Sequence, residues 1–364
     1  MTEGQGDSAA TPVRLARIGG DGIGPEVVGA AVRVVDAVCG DRIEWVEAEM
    51  GWRTFERTGR ALPEATVETL EGCAGALFGA VSSPSHAVDG YRSPIVELRR
   101  RLDLYANVRP LQSGARAASR RRGRSAGAAS DDDGRVAIDA VVVRENTEGL
   151  YAGRERWERE GEVAIAERVI SRRATERIVR FACELALSRA AQRGSPARLT
   201  VVHKANVLRL SDGLFRETAL DVAAGFPEIE VEEQLVDSMV YRLILAPERY
   251  DGIVAPNLYG DILSDAGAAL VGGLGVVGSA NCGQCFCLAE PVHGSAPDIA
   301  GRGIANPIAA VSAAALLLER VGLGEEAGRI REVLAKHRTV GPRTPDRGGD
   351  ATTEEAVADL LRRV

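Results

Sequence analysis

The stretch Asn257-Leu-Tyr-Gly-Asp261-Ile-Leu-Ser-Asp265 carries two aspartates four residues apart in a run with the apolar spacing of a helix. Side chains at this spacing share one helix face, so both carboxylates project in the same direction. Asp237 lies upstream, at the end of an apolar and acidic run that predicts a strand. Three converging carboxylates would suit Mg²⁺ or Mn²⁺, which prefer oxygen ligands. The pair alone is more typical of a helix cap and a solvent-exposed aspartate, so other parts of the chain must support a metal site.

Size and charge narrow the classes of function. The chain has 364 residues, of which 45% are hydrophobic, enough for a sizeable core and more than one domain. Its net charge of −7 gives no overall attraction for nucleic acid or an anionic membrane. No apolar run approaches the roughly 18–20 residues that span a bilayer, and residues 1–12 lack the regions of a signal peptide. We expect a cytoplasmic protein without nucleic-acid or membrane partners, and a disordered N-terminus over residues 1–12.

Strand and helix patterns alternate along the chain. Strands are predicted at residues 13–18, 43–48, 74–79, 136–143, 199–203 and 252–255, from their apolar and β-branched content. Helices are predicted at residues 26–38, 63–70, 94–102, 172–192, 243–250, 262–271 and 307–319, with Ser93 as the N-cap of the third. This alternation predicts an α/β fold with a largely parallel sheet.

Two glycine-rich stretches could be mistaken for dinucleotide-binding loops. The turn after the first strand reads Gly20-x-Gly22-x-Gly24, which lacks the spacing of the Rossmann fingerprint. The stretch Gly273-Leu-Gly275-Val-Val-Gly278 has that spacing but follows a helix instead of a strand. Both are therefore rejected, and the predicted fold is not a Rossmann fold.

Five further side chains near the ends of predicted elements suggest a site for a small polycarboxylate. Arg99, Arg109 and Arg144 could each be an ordinary solvated charge, but together they form a plausible clamp, because guanidinium binds carboxylates in forked pairs. Tyr151 and Lys204 are candidate proton-transfer groups. A lysine beside arginines and a metal has its charged form disfavoured and becomes a usable base near neutral pH.

Three of the six cysteines cluster in Cys282-Gly-Gln-Cys285-Phe-Cys287. Such a string could hold zinc or form a redox pair, but no second Cys/His pair follows at zinc-finger spacing. We interpret it as a turn with incidental cysteines.

Residues 113–135 are rich in Ser, Gly, Ala and Arg and end in three aspartates. This composition predicts a mobile surface loop. A basic tail for nucleic acid is the alternative, which the partly neutralised charge and the lack of aromatic residues disfavour.

Four motifs together resemble one known family. They are Leu102-Asp-Leu-Tyr-Ala-Asn-Val-Arg-Pro110, Arg144-Glu-Asn-Thr-Glu-Gly-Leu-Tyr151, the Asn257–Asp265 stretch and His293-Gly-Ser-Ala-Pro-Asp-Ile-Ala-Gly301. The chain is similar to the metal-dependent β-hydroxyacid oxidative decarboxylases, comprising isocitrate, homoisocitrate, 3-isopropylmalate and tartrate/D-malate dehydrogenases. The resemblance implies their two-domain α/β fold, with a large cofactor-binding domain of residues 13–104 and 272–364. The small domain implied, residues 105–271, carries the dimer interface and the metal aspartates.

The resemblance also implies a role for each candidate. The roles are metal ligands for Asp237, Asp261 and Asp265, a malate-binding clamp for Arg99, Arg109 and Arg144, and proton transfer for Tyr151 and Lys204. Lys204 and Asp237 of family members reach into the neighbouring subunit's site, which implies a homodimer with shared active sites. The implied reaction is the oxidative decarboxylation of a 3-substituted malate with Mg²⁺ or Mn²⁺.

The nicotinamide cofactor of the family would lie along His293, Gly294, Ser295, Ala296 and Asn306. Asp298, followed by Ile299, bears on the choice between NAD and NADP. A carboxylate accepts hydrogen bonds from the ribose hydroxyls of NAD and repels the 2′-phosphate of NADP. NADP-using members carry a basic residue and a tyrosine at these two positions. We therefore predict NAD.

The C3 substituent of the substrate should contact the segment that begins at Ser93. Ser93 matches the serine that contacts the distal carboxylate in isocitrate enzymes, but Ile95 replaces their asparagine. Val96 stands where similar homoisocitrate enzymes carry an arginine. An aliphatic wall favours an apolar substituent, as in 3-isopropylmalate.

Other substrates stay open. Residues 98–110 and 341–352 look most like homoisocitrate enzymes, and Arg92 and Tyr241 could admit a more polar group, such as a phosphonate. Tartrate, D-malate and isocitrate also belong to the range of the family. A non-catalytic relative is disfavoured because the aspartates, Tyr151 and Lys204 are all present.

Overall fold

Strands and helices alternate along most of the chain in the computed structural model, which describes residues 11–86, 88–113 and 138–364. The strands are β1 (Val13–Gly20), β2 (Ile43–Glu47), β3 (Gly75–Ala80), β4 (Ala106–Gln112), β5 (Asp139–Glu145), β6 (Gly149–Arg159), β7 (Val163–Val169), β8 (Ala197–His203), β9 (Ile229–Leu235), β10 (Gly252–Ala255), β11 (Gly278–Cys282) and β12 (Cys287–Pro291). The helices are α1 (Gly24–Cys39), α2 (Trp52–Thr58), α3 (Glu64–Glu71), α4 (Pro94–Arg101), α5 (Arg172–Arg193), α6 (Ser211–Ala223), α7 (Val236–Leu245), α8 (Asn257–Val271), α9 (Ile308–Arg320), α10 (Gly324–Val340) and α11 (Thr353–Leu361).

Ten of these strands form one sheet in the order β2-β1-β3-β12-β11-β4-β5-β10-β8-β9, and β6 pairs with β7 in a separate antiparallel ribbon. Six of the nine neighbouring pairs in this described sheet are parallel, and the antiparallel pairs all involve β11 or β4. Parallel strands covered on both faces are apolar throughout, and every residue of β3 and β10 is buried. The predicted α/β fold with a largely parallel sheet is confirmed.

The two predicted domains occupy opposite halves of this sheet. Strands β1, β2, β3, β11 and β12 belong to the predicted large domain, and β4, β5, β8, β9 and β10 to the predicted small domain. Helices α1 and α9 pack on the first half, and α5 and α8 on the second. The division into two domains itself stays a prediction. Most of the predicted disordered N-terminus and mobile loop, residues 1–10 and 114–135, lies outside the described residues.

Some predicted boundaries were wrong. Asp237 lies in the first turn of α7 and not at the end of a strand, because β9 already ends at Leu235. The helix predicted to end at Tyr250 ends at Leu245, since Pro247 cannot continue the helical hydrogen bonds. Ser93 precedes α4 as predicted, but its side chain makes no capping hydrogen bond. Within the described ranges, no helix combines the length and apolar character of a membrane span.

The two rejected glycine stretches serve close packing. A Cβ at Gly278 would lie 2.3 Å from the backbone nitrogen of Ala313, so this glycine lets β11 approach α9. Gly22 has a φ of +57°, and a Cβ there would lie 1.9 Å from the carbonyl oxygen of Ser295. The turn after β1 therefore packs directly on the segment that follows β12.

Candidate active site

Helix α8 presents the two aspartates of the central stretch at one edge of the sheet. It begins at Asn257, directly after β10, and buries Leu263 and Ser264 against the sheet. The side chains of Asp261 and Asp265 are 28% and 54% exposed, so both face an open region. The ends of parallel strands are where α/β proteins usually bind ligands.

Two arginines from the adjacent strands β4 and β5 hold these aspartates. Arg109 places Nη2 at 3.0 Å from Asp261 Oδ1 and Nη1 at 3.1 Å from Asp265 Oδ1. Arg144 pairs with the same Asp261 oxygen and donates from Nε and Nη2 to Asn257 Oδ1, at 2.9 and 2.8 Å. The exposed fractions of Arg109 and Arg144 are 7% and 2%. Two of the three predicted clamp arginines therefore pair with Asp261, a predicted metal ligand.

Burial sets the protonation equilibria of this group. It lowers the pKa of Arg144 to about 10, and the neighbouring Arg109 acts in the same direction. Burial opposes ionisation of Asp261, but Arg144 and Arg109 outweigh it and hold the pKa of this carboxyl below its ordinary value. The pKa of Asp265 is raised by burial, which Arg109 only partly offsets. At neutral pH Arg144 is cationic and Asp261 is anionic, so each can bind a group of opposite charge.

Tyr151 joins the same group from β6. Its hydroxyl donates to Asp261 Oδ2 at 2.8 Å, and the Arg144 guanidinium lies 5.0 Å from the centre of its ring. Burial raises the pKa of Tyr151, so the phenol stays protonated at neutral pH. A protonated phenol held at this position is able to donate a proton.

Arg99 connects to the group through a buried polar network. Its Nη2 donates to Glu290 Oε1 at 3.1 Å, and Asn281 Nδ2 donates to the same oxygen at 2.8 Å. Asn281 Oδ1 accepts from Asn107 Nδ2 at 2.9 Å, and Asn107 Oδ1 accepts from Arg109 Nε at 2.7 Å. Sequence reasoning did not identify Asn107, Asn281 or Glu290. Asn107 lies in a motif quoted above, and only Val108 separates it from Arg109, the usual spacing of neighbours on one strand face.

Lys204 and Asp237 form a second group. They pair with each other, and the backbone N–H of Lys204 donates to Asp212 Oδ2 at 2.6 Å. Asp212 is fully buried and lies 2.8 Å from Nη2 of Arg168. In the part of the chain that the structure describes, no three His, Cys, Asp or Glu side chains gather as a metal-binding group. One chain therefore brings Asp261 and Asp265 together but leaves Asp237 with Lys204.

Comparison with known proteins identifies the family. Residues 14–360 match the model of the isocitrate/isopropylmalate dehydrogenase family. The chain belongs to this family. It is 50% identical over 353 residues to an isocitrate/homoisocitrate dehydrogenase of Thermus thermophilus, covering 96% of this chain and 98% of that protein. It is 44% identical over 353 residues to a 3-isopropylmalate/3-methylmalate dehydrogenase of Methanocaldococcus jannaschii, with 96% and 98% covered.

A solved structure of the family is also similar. The crystal structure of isocitrate dehydrogenase from Methylococcus capsulatus superposes with a TM-score of 0.85 at 37% identity, covering 96% of this chain and 99% of that chain. The family consists of decarboxylating hydroxyacid dehydrogenases that use a divalent metal and NAD or NADP. This member is therefore an oxidoreductase of that kind, and the names of its relatives leave the substrate unresolved.

The predicted cofactor segment of this dehydrogenase follows β12. The carbonyl oxygen of Ser295 accepts from the Ile23 N–H at 2.9 Å, and Ser82 donates to its hydroxyl at 2.9 Å. His293 Nδ1 lies 2.9 Å from the carbonyl oxygen of Gly294. Ala296 has a positive φ of 39°. The glycine turn after β1 thus supports the segment in which the predicted cofactor residues lie.

Towards the end of this segment, the side-chain amide of Asn306 already has hydrogen-bond partners, whereas the carboxylate of Asp298 is exposed. Asn306 Nδ2 donates to Asp346 Oδ2 at 2.9 Å, and its Oδ1 accepts from the Ile308 N–H at 3.1 Å. Asp298 is exposed, as is expected of a group that meets a ligand, and Ile299 next to it is half-buried.

The predicted substrate-pocket residues lie at the start of α4. Ser93 and Val96 are half-buried, so part of each side chain faces outward. Ile95 packs partly against the core cluster that contains Leu98 and Leu104, so only part of it can line a pocket. Arg92 is exposed.

Proposed function

We propose that the protein catalyses NAD-dependent and divalent-cation-dependent oxidative decarboxylation of a 3-substituted malate, giving a 2-oxo acid, CO₂ and NADH. The observation that carries this proposal is the convergence of Arg109, Arg144 and Tyr151 on Asp261. This open region combines two guanidinium cations, a protonated phenol and two carboxylates. Such a set suits the binding of an anionic hydroxy acid.

The donor set fits Mg²⁺ or Mn²⁺. Asp261 and Asp265 offer carboxylate oxygens from one helix face, and Asp237 offers an exposed third carboxylate from a different group. In this chain the arginines neutralise Asp261 and Asp265 directly. A cation on the carboxylates would leave both guanidiniums available for the carboxylates of the substrate. A cation bound there would supply stabilisation of negative charge on the substrate oxygens, and bound NAD would supply the acceptor for the hydride of C2.

The protein's own residues supply binding and proton transfer. Arg109 and Arg144, with Arg99 beside them, hold the malate carboxylates and fix C2 and C3 in place. Lys204 accepts the proton of the C2 hydroxyl as the carbonyl forms. Tyr151, protonated because of its raised pKa, donates a proton to C3 after CO₂ has left.

A homodimer with shared sites would unite the two groups of residues. Within one chain, Lys204 and Asp237 lie outside the group around Asp261. They would complete an active site only by reaching the Asp261 group of a neighbouring subunit. Exposed apolar side chains on α7 and α8 support such an interface, since exposed patches of this kind mark contact surfaces. They are Tyr241, Ile244, Leu245 and Ile262, with exposed fractions of 65, 50, 51 and 48%. We also propose that this dimer is a cytoplasmic enzyme.

The choice of NAD is tested at Asp298 and Ile299. Replacing them together by arginine and tyrosine is expected to lower kcat/KM with NAD by about tenfold or more and to raise it with NADP, since a hydrogen bond to a charged group contributes about 1.5–3 kcal/mol. Initial rates with the two cofactors measure this. Unchanged preference for NAD in the double variant would contradict the role of Asp298.

Two substrate classes each have an observation in their favour. Val96 and the outward part of Ile95 offer an aliphatic wall, which favours 3-isopropylmalate. The relative at 50% identity is named isocitrate/homoisocitrate dehydrogenase, which favours a tricarboxylate. NADH formation with 3-isopropylmalate, homoisocitrate, isocitrate, D-malate, tartrate and a phosphonate analogue, each with and without Mn²⁺, ranks them. Lack of turnover on every substrate would favour the non-catalytic alternative.

Val96 is expected to set this choice. Val96→Arg should lower kcat/KM for 3-isopropylmalate by about tenfold, because it removes an apolar contact worth about 1–3 kcal/mol. The same change should raise kcat/KM for homoisocitrate, because the guanidinium pairs with a carboxylate of that substrate. Val340→Arg is the matched change at an exposed valine that ends α10, away from the predicted pocket, and should leave both values unchanged. If Val96→Arg gives no gain with homoisocitrate, the pocket assignment is wrong.

A further inference from the structure

The hairpin of β11 and β12 carries three cysteines that the proposed reaction does not use. Cys282 ends β11, Cys287 begins β12, and the antiparallel register sets them directly opposite each other. Their Sγ atoms lie 3.8 Å apart, and both side chains are buried. Cys285 lies in the connecting turn and is exposed.

The backbone geometry suits a bond between the two buried sulfurs. The N–H of Gly283 donates to the carbonyl of Phe286 at 2.9 Å, so the adjacent Cys282–Cys287 pair takes the non-hydrogen-bonded position of the ladder. Opposite Cα atoms at such a position are about 4.5 Å apart, within the usual range of about 4.4–6.8 Å for a disulfide. Side-chain rotation alone can therefore bring the sulfurs to bonding distance.

We propose that Cys282 and Cys287 form a reversible cross-strand disulfide when the protein meets a peroxide, with Cys285 as the thiol that reacts first. The sequence interpretation of these cysteines as incidental to a turn is thereby revised. The proposal does not depend on the reaction or substrate of the active site.

The steps balance as a two-electron oxidation of two thiols. The Cys285 thiolate attacks the peroxide, so that an S–O bond forms, the O–O bond breaks and an alcohol or water leaves. Cys282 then attacks the sulfur of this sulfenic acid and expels water, which joins Cys282 to Cys285. Cys287 attacks Cys282 in that bond, and Cys285 leaves as a thiolate. The net change is the loss of two hydrogen atoms from the protein.

The surroundings favour Cys282 as the attacking sulfur. The hydrogen bond from the Cys287 thiol lowers the pKa of Cys282 and outweighs burial. Arg320, which donates to the Gly283 carbonyl at 3.1 Å, lowers this pKa further.

The test uses the full-length protein and differential alkylation. Reduced protein is treated with hydrogen peroxide, free thiols are alkylated, the disulfide is reduced, and the new thiols receive a second label for mass spectrometry. We expect the second label on Cys282 and Cys287 and the first on Cys285. Oxidised protein should unfold about 2–5 °C higher than reduced protein, because the disulfide closes a short loop. First label on Cys282 and Cys287, with Cys285 over-oxidised or joined between molecules, would overturn the proposal.

Two variants test the relay. Cys285→Ser, an exposed change, is expected to slow formation of the buried disulfide by about tenfold or more at the same peroxide concentration. Cys73→Ser, at a half-buried cysteine outside the hairpin, should oxidise at the wild-type rate. Disulfide formation at the wild-type rate in Cys285→Ser would overturn the role of Cys285.

Discussion

Asp261→Asn is expected to lower kcat by about 10³-fold or more, with any substrate of the family. The change removes a carboxylate that we propose as a metal ligand, and stabilisation of charge by a bound cation contributes several kcal/mol, at about 1.4 kcal/mol for each factor of ten. It also removes the common partner of Arg109, Arg144 and Tyr151. Steady-state NADH formation at saturating Mn²⁺ measures the effect.

Structural damage must be separated from loss of chemistry in this variant. Arg144 is 2% exposed and keeps Asn257 as a partner when Asp261 is neutral, so the fold should survive with reduced stability. Thermal unfolding and binding of Mn²⁺ are measured on the same sample. Asp221→Asn, at an exposed carboxylate 3.9 Å from Arg172, is the matched control and should keep full activity. A folded Asp261→Asn variant with near wild-type kcat would contradict the proposed site.

Lys204→Met is expected to lower kcat by about 10²–10⁴-fold, the usual contribution of a positioned general base. Lys204→Arg should be as inactive, since an arginine keeps the charge but does not accept a proton near neutral pH. Lys336→Met, at an exposed lysine of α10, is the matched control and should be unaffected. Activity of Lys204→Arg close to wild type would show that only the charge is needed.

The same two inactive variants test whether subunits share sites. A mixed dimer of Lys204→Met and Asp261→Asn subunits would contain one intact site, because Lys204 and Asp261 of that site come from different chains. Random co-assembly should then give about a quarter of wild-type activity, since half the dimers are mixed and each has one intact site of two. If each chain completed its own site, the mixture would be as inactive as its components.

Motifs with a fixed spacing on one element could be predicted from the sequence. The aspartates of α8 follow from helical periodicity, and β3, β8 and β10 from their apolar content. The ribbon of β6 and β7 was missed because residues 154–159 are mostly charged and exposed, so no alternation of apolar residues marks a strand. A ribbon of this kind is defined by the pairing of its two strands and not by the burial of their side chains.

The residues that support the arginines were harder to find. Asn107, Asn281 and Glu290 lie on different strands and meet only because β11 pairs with both β4 and β12. Buried amides have no characteristic spacing in sequence, so their contacts depend on a strand order that was not predicted. The position of Lys204 beside Asp237, away from the Asp261 group, likewise required coordinates.

Dependence on a divalent cation is the central claim, and removal of the cation tests it most directly. The enzyme is stripped with a strong chelator, and NADH and CO₂ are measured with its best substrate before and after Mn²⁺ is added. We predict that activity disappears with the chelator, returns with Mn²⁺ in the wild type and does not return in Asp261→Asn. Full NADH and CO₂ formation in the presence of the chelator would contradict the account.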